Sequence, residues 1–135
     1  MDKIWIIFER EYLHEDNNTK PDLDTLKGDG IVVYDSFGKL LWEWNIFNFI
    51  NPMDKSNKYY LTKDWSHANG IFVDYDGNYL VSFRNFSQIW KINSSTGDII
   101  WRLGMNGDFD LTKNEIFYAQ HAIHKIDDDT YMLFD

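Results

Sequence analysis

Two histidines and an arginine are the residues of this chain best suited to chemistry. His67 stands within Trp65–Asn69, Arg84 ends an apolar run, and His121 follows Gln120. A neutral imidazole is a competent nucleophile near pH 7. A guanidinium with neutral hydrogen-bond donors beside it suits a transition state whose negative charge is spread over several oxygens. These residue types are therefore compatible with the transfer of an anionic group.

An internal repeat indicates which elements position the two histidines. The segment Ile31–Trp42 matches Ile89–Trp101, because both contain a strand, a polar turn with glycine and a strand that ends in Trp. His67 and His121, 54 residues apart, each begin a segment that ends in a second repeated strand. A repeat of about 50 residues with four strands is typical of a β-propeller blade. Both histidines are therefore predicted to open the innermost strand of successive blades, at one mouth of the central channel.

The composition predicts an all-β protein. Aromatic residues make up 18% of the 135 residues, and such side chains favour pleated, half-buried surfaces. The net charge of −9 repels phosphate backbones, so we expect no nucleic-acid partner. The absence of cysteine excludes a disulfide scaffold, and no apolar run is long enough to predict a membrane span. Short strands separated by polar turns are predicted at Ile4–Phe8, Ile31–Tyr34, Lys39–Trp44, Ile71–Tyr75, Tyr79–Phe83, Ile89–Ile92, Ile99–Leu103 and Tyr131–Phe134.

The length predicts a partial propeller of about two to three four-stranded antiparallel blades. Repeats of 52 to 59 residues fill 135 residues about two and a half times, whereas propellers close with about four to eight blades. We predict a blade with long loops over residues 1–64, a blade with the His67 motif over 65–117, and the start of a further blade over 118–135. Glu15–Gly30 and Phe47–Lys63 are predicted as surface loops. Open blade faces and strand edges predict self-association.

The motifs resemble those of the arylsulfotransferase family, the bacterial aryl-sulfate sulfotransferases, which look like six-bladed propellers. The family signature Trp-x-His-x-Asn matches Trp65–Asn69, and its Ser-x-Arg strand matches Ser82–Arg84. Its Trp-x-Leu-Gly ending matches Trp101–Gly104, and its Gln-His motif matches the pair at 120–121. The similarity covers residues 30–135, with the motifs in the expected order.

The resemblance implies sulfuryl transfer from an aryl sulfate donor to a phenolic acceptor, with no nucleotide sulfate donor, no cofactor and no metal. His121 would be the nucleophile and form a transient sulfohistidine. His67, Asn69 and Arg84 would bind the sulfuryl oxygens and help the phenolate to leave. Trp65 would wall an aryl pocket, although a packing role is an equal alternative. Family members are often exported, but the chain shows no signal peptide.

One departure from the family pattern concerns a further histidine that the family takes from a preceding blade. His14 lies in a polar run without that motif, so we expect the chain to be inactive by itself. A different function class stays open: a non-catalytic propeller that serves as a binding platform, since fold does not determine function. A calcium-dependent binding propeller is a weaker alternative, based on acidic turns such as Asp74–Asn78, for which a plain hairpin turn is preferred.

Purely structural roles are the alternative for the same residues, and they predict other contacts. His67 and His121 could be core histidines, and Arg84 could form an ion pair between blades. His124 is an odd number of residues from His121, so it is predicted on the opposite face of a strand in a structural role.

Overall fold

The computed structural model describes residues 2–13 and 25–135, so His14 lies outside the described residues. The chain divides into two compact units, Met1–His67 and Ala68–Asp135. The strands are β1 (Lys3–Leu13), β2 (Thr25–Asp35), β3 (Leu40–Asn45), β4 (Ala68–Val73), β5 (Tyr79–Phe83), β6 (Gln88–Ile92), β7 (Ile99–Gly104), β8 (His121–Asp127) and β9 (Thr130–Phe134). Two short 3-10 turns, η1 (Ile46–Asn48) and η2 (Arg84–Phe86), accompany them. The all-β prediction is confirmed, and no helix in the described part of the chain is long and apolar enough to cross a membrane.

The first unit contains an antiparallel sheet of three strands in the order β1-β2-β3. The central strand β2 starts at Thr25, so the loop predicted over Glu15–Gly30 is wrong from Thr25 onward. The prediction failed because Gly28 and Gly30 lower the intrinsic strand preference of this segment. In the folded chain the same glycines allow close packing. A Cβ on Gly28 would lie 2.5 Å from the Phe47 ring. Tertiary packing therefore selects a strand where local preference indicated a loop.

The second unit contains the four-stranded antiparallel sheet β4-β5-β6-β7, in which each strand pairs with the next along the chain. This meander is the arrangement of a propeller blade. The turn Asp74–Asn78 joins β4 to β5, with Gly77 at φ 84°, so the hairpin prediction for these residues is correct. Strand β5 is buried along its whole length, and Leu80 packs in a core with Ile89 and Ile123.

Strand β8 pairs with β9 and also runs beside β4 of the blade. The contacts join, in order, Asn69 to Gln120, Gly70 to Ala122, and Phe72 to His124. Because the residue numbers rise together on both strands, β4 and β8 run in the same direction. Two strands that open equivalent repeats are therefore neighbours, as expected for successive blades of a propeller. The sheets β1–β3, β4–β7 and β8–β9 fall within the segments 1–64, 65–117 and 118–135, whose assignment as separate blades stays a prediction.

A β-bulge at Ala122 changes the face on which His124 lies. The register pairs His121 with Phe134 and His124 with Met132, and it shifts at Ala122, whose φ is 47°. Phe134 and Met132 are two residues apart and share a face, so their cross-strand partners share it too. The prediction that His121 and His124 point to opposite faces is therefore wrong. The extra residue of the bulge reverses the alternation that sequence spacing assumes.

A buried carboxylate links the blade to β8. The side chain of Asp74 is 1% exposed, and its two oxygens lie 2.8 Å from Lys91 Nζ and 3.0 Å from Lys125 Nζ. Burial acts to raise the pKa of Asp74, but hydrogen bonds from the two lysines outweigh it and hold the pKa below its usual value. Asp76 also binds Lys91, at 2.6 Å. Burial opposes its ionisation as well, yet the Lys91 and Asn78 hydrogen bonds lower the pKa of Asp76 to about 2.

Candidate functional site

His67 is the last residue of the first unit, and the segment before it is attached to β2. The Lys27 amide donates to the Lys63 carbonyl at 2.7 Å, and the Trp65 amide donates to the Lys27 carbonyl at 2.7 Å. His67 has a φ of 50°, a left-handed conformation that is costly for a residue with a Cβ. Such strain persists only where the surrounding structure holds it, and it is concentrated at functional sites.

Trp65 lies in the core of the first unit. Its side chain is 1% exposed, and its indole stacks on the Phe47 ring with the centroids 5.6 Å apart. The Tyr59 ring meets it edge to face at 6.1 Å. These contacts favour the packing role, and a contact between Trp65 and substrate stays a prediction.

Asn69, in β4, uses its side chain to hold the chain beside His121. Its Nδ2 donates to the Gln120 carbonyl at 2.8 Å. One N–H of the amide is therefore engaged within the protein, which leaves one for a ligand. The Asn69 Oδ1 atom is buried and has no hydrogen-bond partner among the described residues.

Gln120 is fully buried and connects β8 to the blade. Its Nε2 lies 3.0 Å from Ser82 Oγ, 3.3 Å from the Phe83 carbonyl and 3.0 Å from the Gln88 carbonyl. The Gln88 side chain is itself held, because its Oε1 accepts from the Trp90 indole at 2.6 Å. Gln120 was identified from the sequence only as half of a motif. Its burial shows that the side chain belongs to the scaffold of the site.

The backbone around Gln120 is strained on both sides. Ala119 has a φ of 49° and Ala122 a φ of 47°, both in the left-handed region. The Ala119 amide donates to Ser87 Oγ at 3.1 Å, and Ser87 has a φ of 52°. Non-glycine residues in this region cost free energy that the surrounding hydrogen bonds must offset. The backbone beside His121 therefore carries local strain, and the hydrogen bond from Ala119 to Ser87 attaches it to the blade.

Arg84 begins η2 directly after β5 and is half-buried. Its Nη1 donates to Asn85 Oδ1 at 3.2 Å. None of the ion pairs formed by the described residues includes Arg84. Within the described part of the chain, the guanidinium is therefore not neutralised by a carboxylate, as the ion-pair interpretation would require.

His121 is exposed at the first position of β8, and Asn69 and Arg84 stand at the same end of the neighbouring strands. Asn69 is near the start of β4, Arg84 follows the end of β5, and the Ala68–Phe83 pair joins these two ends. Gln120 contacts Asn69 through its carbonyl and Phe83 through its amide. The structure thus brings three predicted site residues to one end of the second unit, and His67 precedes the first strand of that unit along the chain.

Asp64, in the first unit, is a contact of His67 that sequence reasoning missed. Its Oδ2 contacts His67 Nδ1. The spacing of three residues from His67 is the signal that was available in the sequence. It was not distinctive, because acidic residues are common throughout the chain.

Comparison with known families gives one match that spans nearly the whole chain. The model of the arylsulfotransferase (ASST) family matches residues 7–135. The match extends the predicted similarity, which began at Gly30, back into β1. Comparisons with curated proteins and with solved structures gave no significant match.

Proposed function

Because the chain belongs to the arylsulfotransferase family, we propose that within the complete propeller it supplies His121 for sulfuryl transfer from an aryl sulfate to a phenol through a sulfohistidine. The observation that carries the proposal is that Gln120, the residue before His121, is hydrogen-bonded to Asn69 and to Phe83, the residue before Arg84. The Gln120 side chain and carbonyl connect the ends of β4 and β5 to the residue directly before His121. A nucleophile and its oxyanion ligands need such fixed placement, because catalysis depends on geometry held before the reaction.

The reaction proceeds in two displacements at sulfur. In the first, a nitrogen lone pair of His121 forms the N–S bond while the bond from sulfur to the donor oxygen breaks, and the departing phenolate takes up a proton. In the second, the acceptor phenol gives up a proton as its oxygen forms the new S–O bond and the N–S bond breaks. Protons and electrons balance over the cycle, and a covalent intermediate divides one difficult displacement into two easier ones.

The other site residues bind the negatively charged oxygens or transfer a proton. Arg84 binds the sulfuryl oxygens, which its guanidinium can do because no carboxylate among the described residues pairs with it. Asn69 adds its remaining N–H as a neutral donor. His67 assists the departure of the phenolate by proton transfer. Trp65 acts through packing of the segment before His67.

The test is mass spectrometry of the protein with its full set of blades, after incubation with p-nitrophenyl sulfate and no acceptor. One added sulfuryl group is expected, on the peptide that contains His121. The label is expected to disappear in His121→Ala and to remain in the control His124→Ala, which removes the histidine on the same face of β8. A label that survives His121→Ala would assign the nucleophile to another residue. A wild-type protein that is never labelled would overturn the proposal and favour the non-catalytic binding platform.

A further inference from the structure

Asp64 and His67 form a carboxylate–imidazole pair. The Asp64 Oδ2 atom contacts Nδ1 of His67, and the two side chains are 56% and 42% exposed. A carboxylate in this pair accepts a hydrogen bond, so Nδ1 must carry the proton. The other ring nitrogen, Nε2, is then the atom available to a substrate, as an acceptor in the neutral ring and as a donor in the charged one.

The backbone around Asp64 is fixed well enough to orient the ring. Asp64 forms a parallel bridge with Lys27 of β2, and the hydrogen bonds of Lys63 and Trp65 to Lys27 enclose that bridge. The Asp64 carbonyl accepts from Thr62 Oγ1 at 2.7 Å. An exposed ion pair between two flexible side chains contributes little to the free energy of folding. Here one partner stands on a strand-anchored segment and the other on a residue with a constrained φ, so the contact has a defined geometry.

We propose that Asp64 is a positioning residue that fixes His67 in the Nδ1–H tautomer and aims Nε2 at the oxygen of the phenol. The proposal rests on the proposed function for the role of His67. In the first displacement, the protonated ring gives its Nε2 proton to the departing phenolate oxygen. In the second, the neutral Nε2 takes the proton of the acceptor phenol. The ring returns to its starting form, so no other reactant is needed.

The substitution Asp64→Asn tests the tautomer directly. An asparagine is nearly isosteric, but it can donate from its amide to Nδ1 and so favour the opposite, Nε2–H tautomer, as in other carboxylate–histidine pairs. Two-bond ¹H–¹⁵N correlations on ¹⁵N-histidine-labelled protein, well above the usual titration range of imidazole near pH 6.5, report which nitrogen is protonated. We expect the His67 signals to show Nδ1–H in the wild type and to shift toward Nε2–H in Asp64→Asn.

Two further variants separate this effect from unrelated changes. Asp64→Glu keeps a carboxylate and is expected to retain most of the Nδ1–H tautomer. Asp110→Asn, at an exposed position, is the matched control and should leave the His67 signals unchanged. A wild-type His67 in the Nε2–H form, or a tautomer that does not respond to Asp64→Asn, would overturn the proposal.

A kinetic measurement separates this proposal from the proposed function. Loss of general acid catalysis is worth about 100-fold or more, and the loss is greatest when the leaving group is a strong base. Asp64→Asn is therefore expected to lower the rate of His121 labelling without acceptor by about 100-fold for phenyl sulfate and by much less for p-nitrophenyl sulfate, with the label still formed. An equal loss for both donors would refute the positioning role. Absence of the label in the wild type would refute the function instead, while the tautomer measurement still decides the role of Asp64.

Discussion

Replacement of Gln120 by leucine is the most informative test of how the site is held. The amide has two N–H groups, which serve three acceptors at 3.0 to 3.3 Å, so about two hydrogen bonds worth about 1 kcal/mol each are lost. The buried Ser82 hydroxyl and a main-chain carbonyl then lack this donor, at a further cost of about 1–3 kcal/mol.

Part of that loss is recovered in the variant. The Gln120 Oε1 atom is buried without a hydrogen-bond partner among the described residues, so its removal returns about 1–3 kcal/mol. Leucine fills a similar volume, and the bond from Asn69 goes to the main-chain carbonyl and stays. The net expectation for Gln120→Leu is therefore a decrease of about 2 kcal/mol in the free energy of unfolding.

The assay is urea-dependent hydrogen exchange, followed by mass spectrometry on peptides from β5 and β8. A decrease of about 2 kcal/mol lowers the urea concentration at the midpoint of unfolding by about 1 M, if the free energy of unfolding falls by about 2 kcal/mol per M of urea. Asn114→Leu makes the same kind of change at an exposed position and should leave the midpoint in place. Ser82→Ala removes one acceptor and should cost less than Gln120→Leu. A midpoint that is unchanged or raised in Gln120→Leu would refute the idea that this amide fastens β8 to the blade.

Three other outcomes are expected. Asp74→Asn should lower the free energy of unfolding by about 3 kcal/mol, because it removes the buried negative charge that Lys91 and Lys125 contact. The measurement is a urea titration, and an unchanged midpoint of unfolding would contradict the expectation. Stability should decline as the pH falls from about 4, the unfolded value, through the lowered pKa of Asp76 at about 2. The loss of stability at low pH, measured by thermal melts, should be smaller in Asp76→Asn than in the wild type. An equal loss in both proteins would show that other carboxyl groups are responsible. Arg84→Lys should slow His121 labelling by about tenfold or more, because an ammonium cannot bind two oxygens in a fixed fork; an undiminished rate would remove Arg84 from the site.

Local features of the sequence were enough to predict the class of the fold. Tyr79–Phe83 was predicted with the bounds that the structure has, and the Asp74–Asn78 turn joins two strands as expected. The reason is that both signals are local: β-favouring side chains in a short run, and a glycine at a turn position that needs positive φ. The repeat carried the same information over a longer range, since equivalent segments fold into equivalent strands.

Only the tertiary structure decided how the site is assembled. Strand β8 was predicted only from the repeat, as the innermost strand that His121 opens, because its own residues carry a weak strand pattern; its pairing with β9 and its place beside β4 follow from the tertiary structure. The bulge at Ala122 placed His121 and His124 on one face, which residue spacing alone had excluded. The contacts of Asp64 with His67 and of Gln120 with Ser82 depend on backbone angles and on partners distant in sequence. A sequence states which groups are present, whereas the direction in which each group points follows from the packing around it.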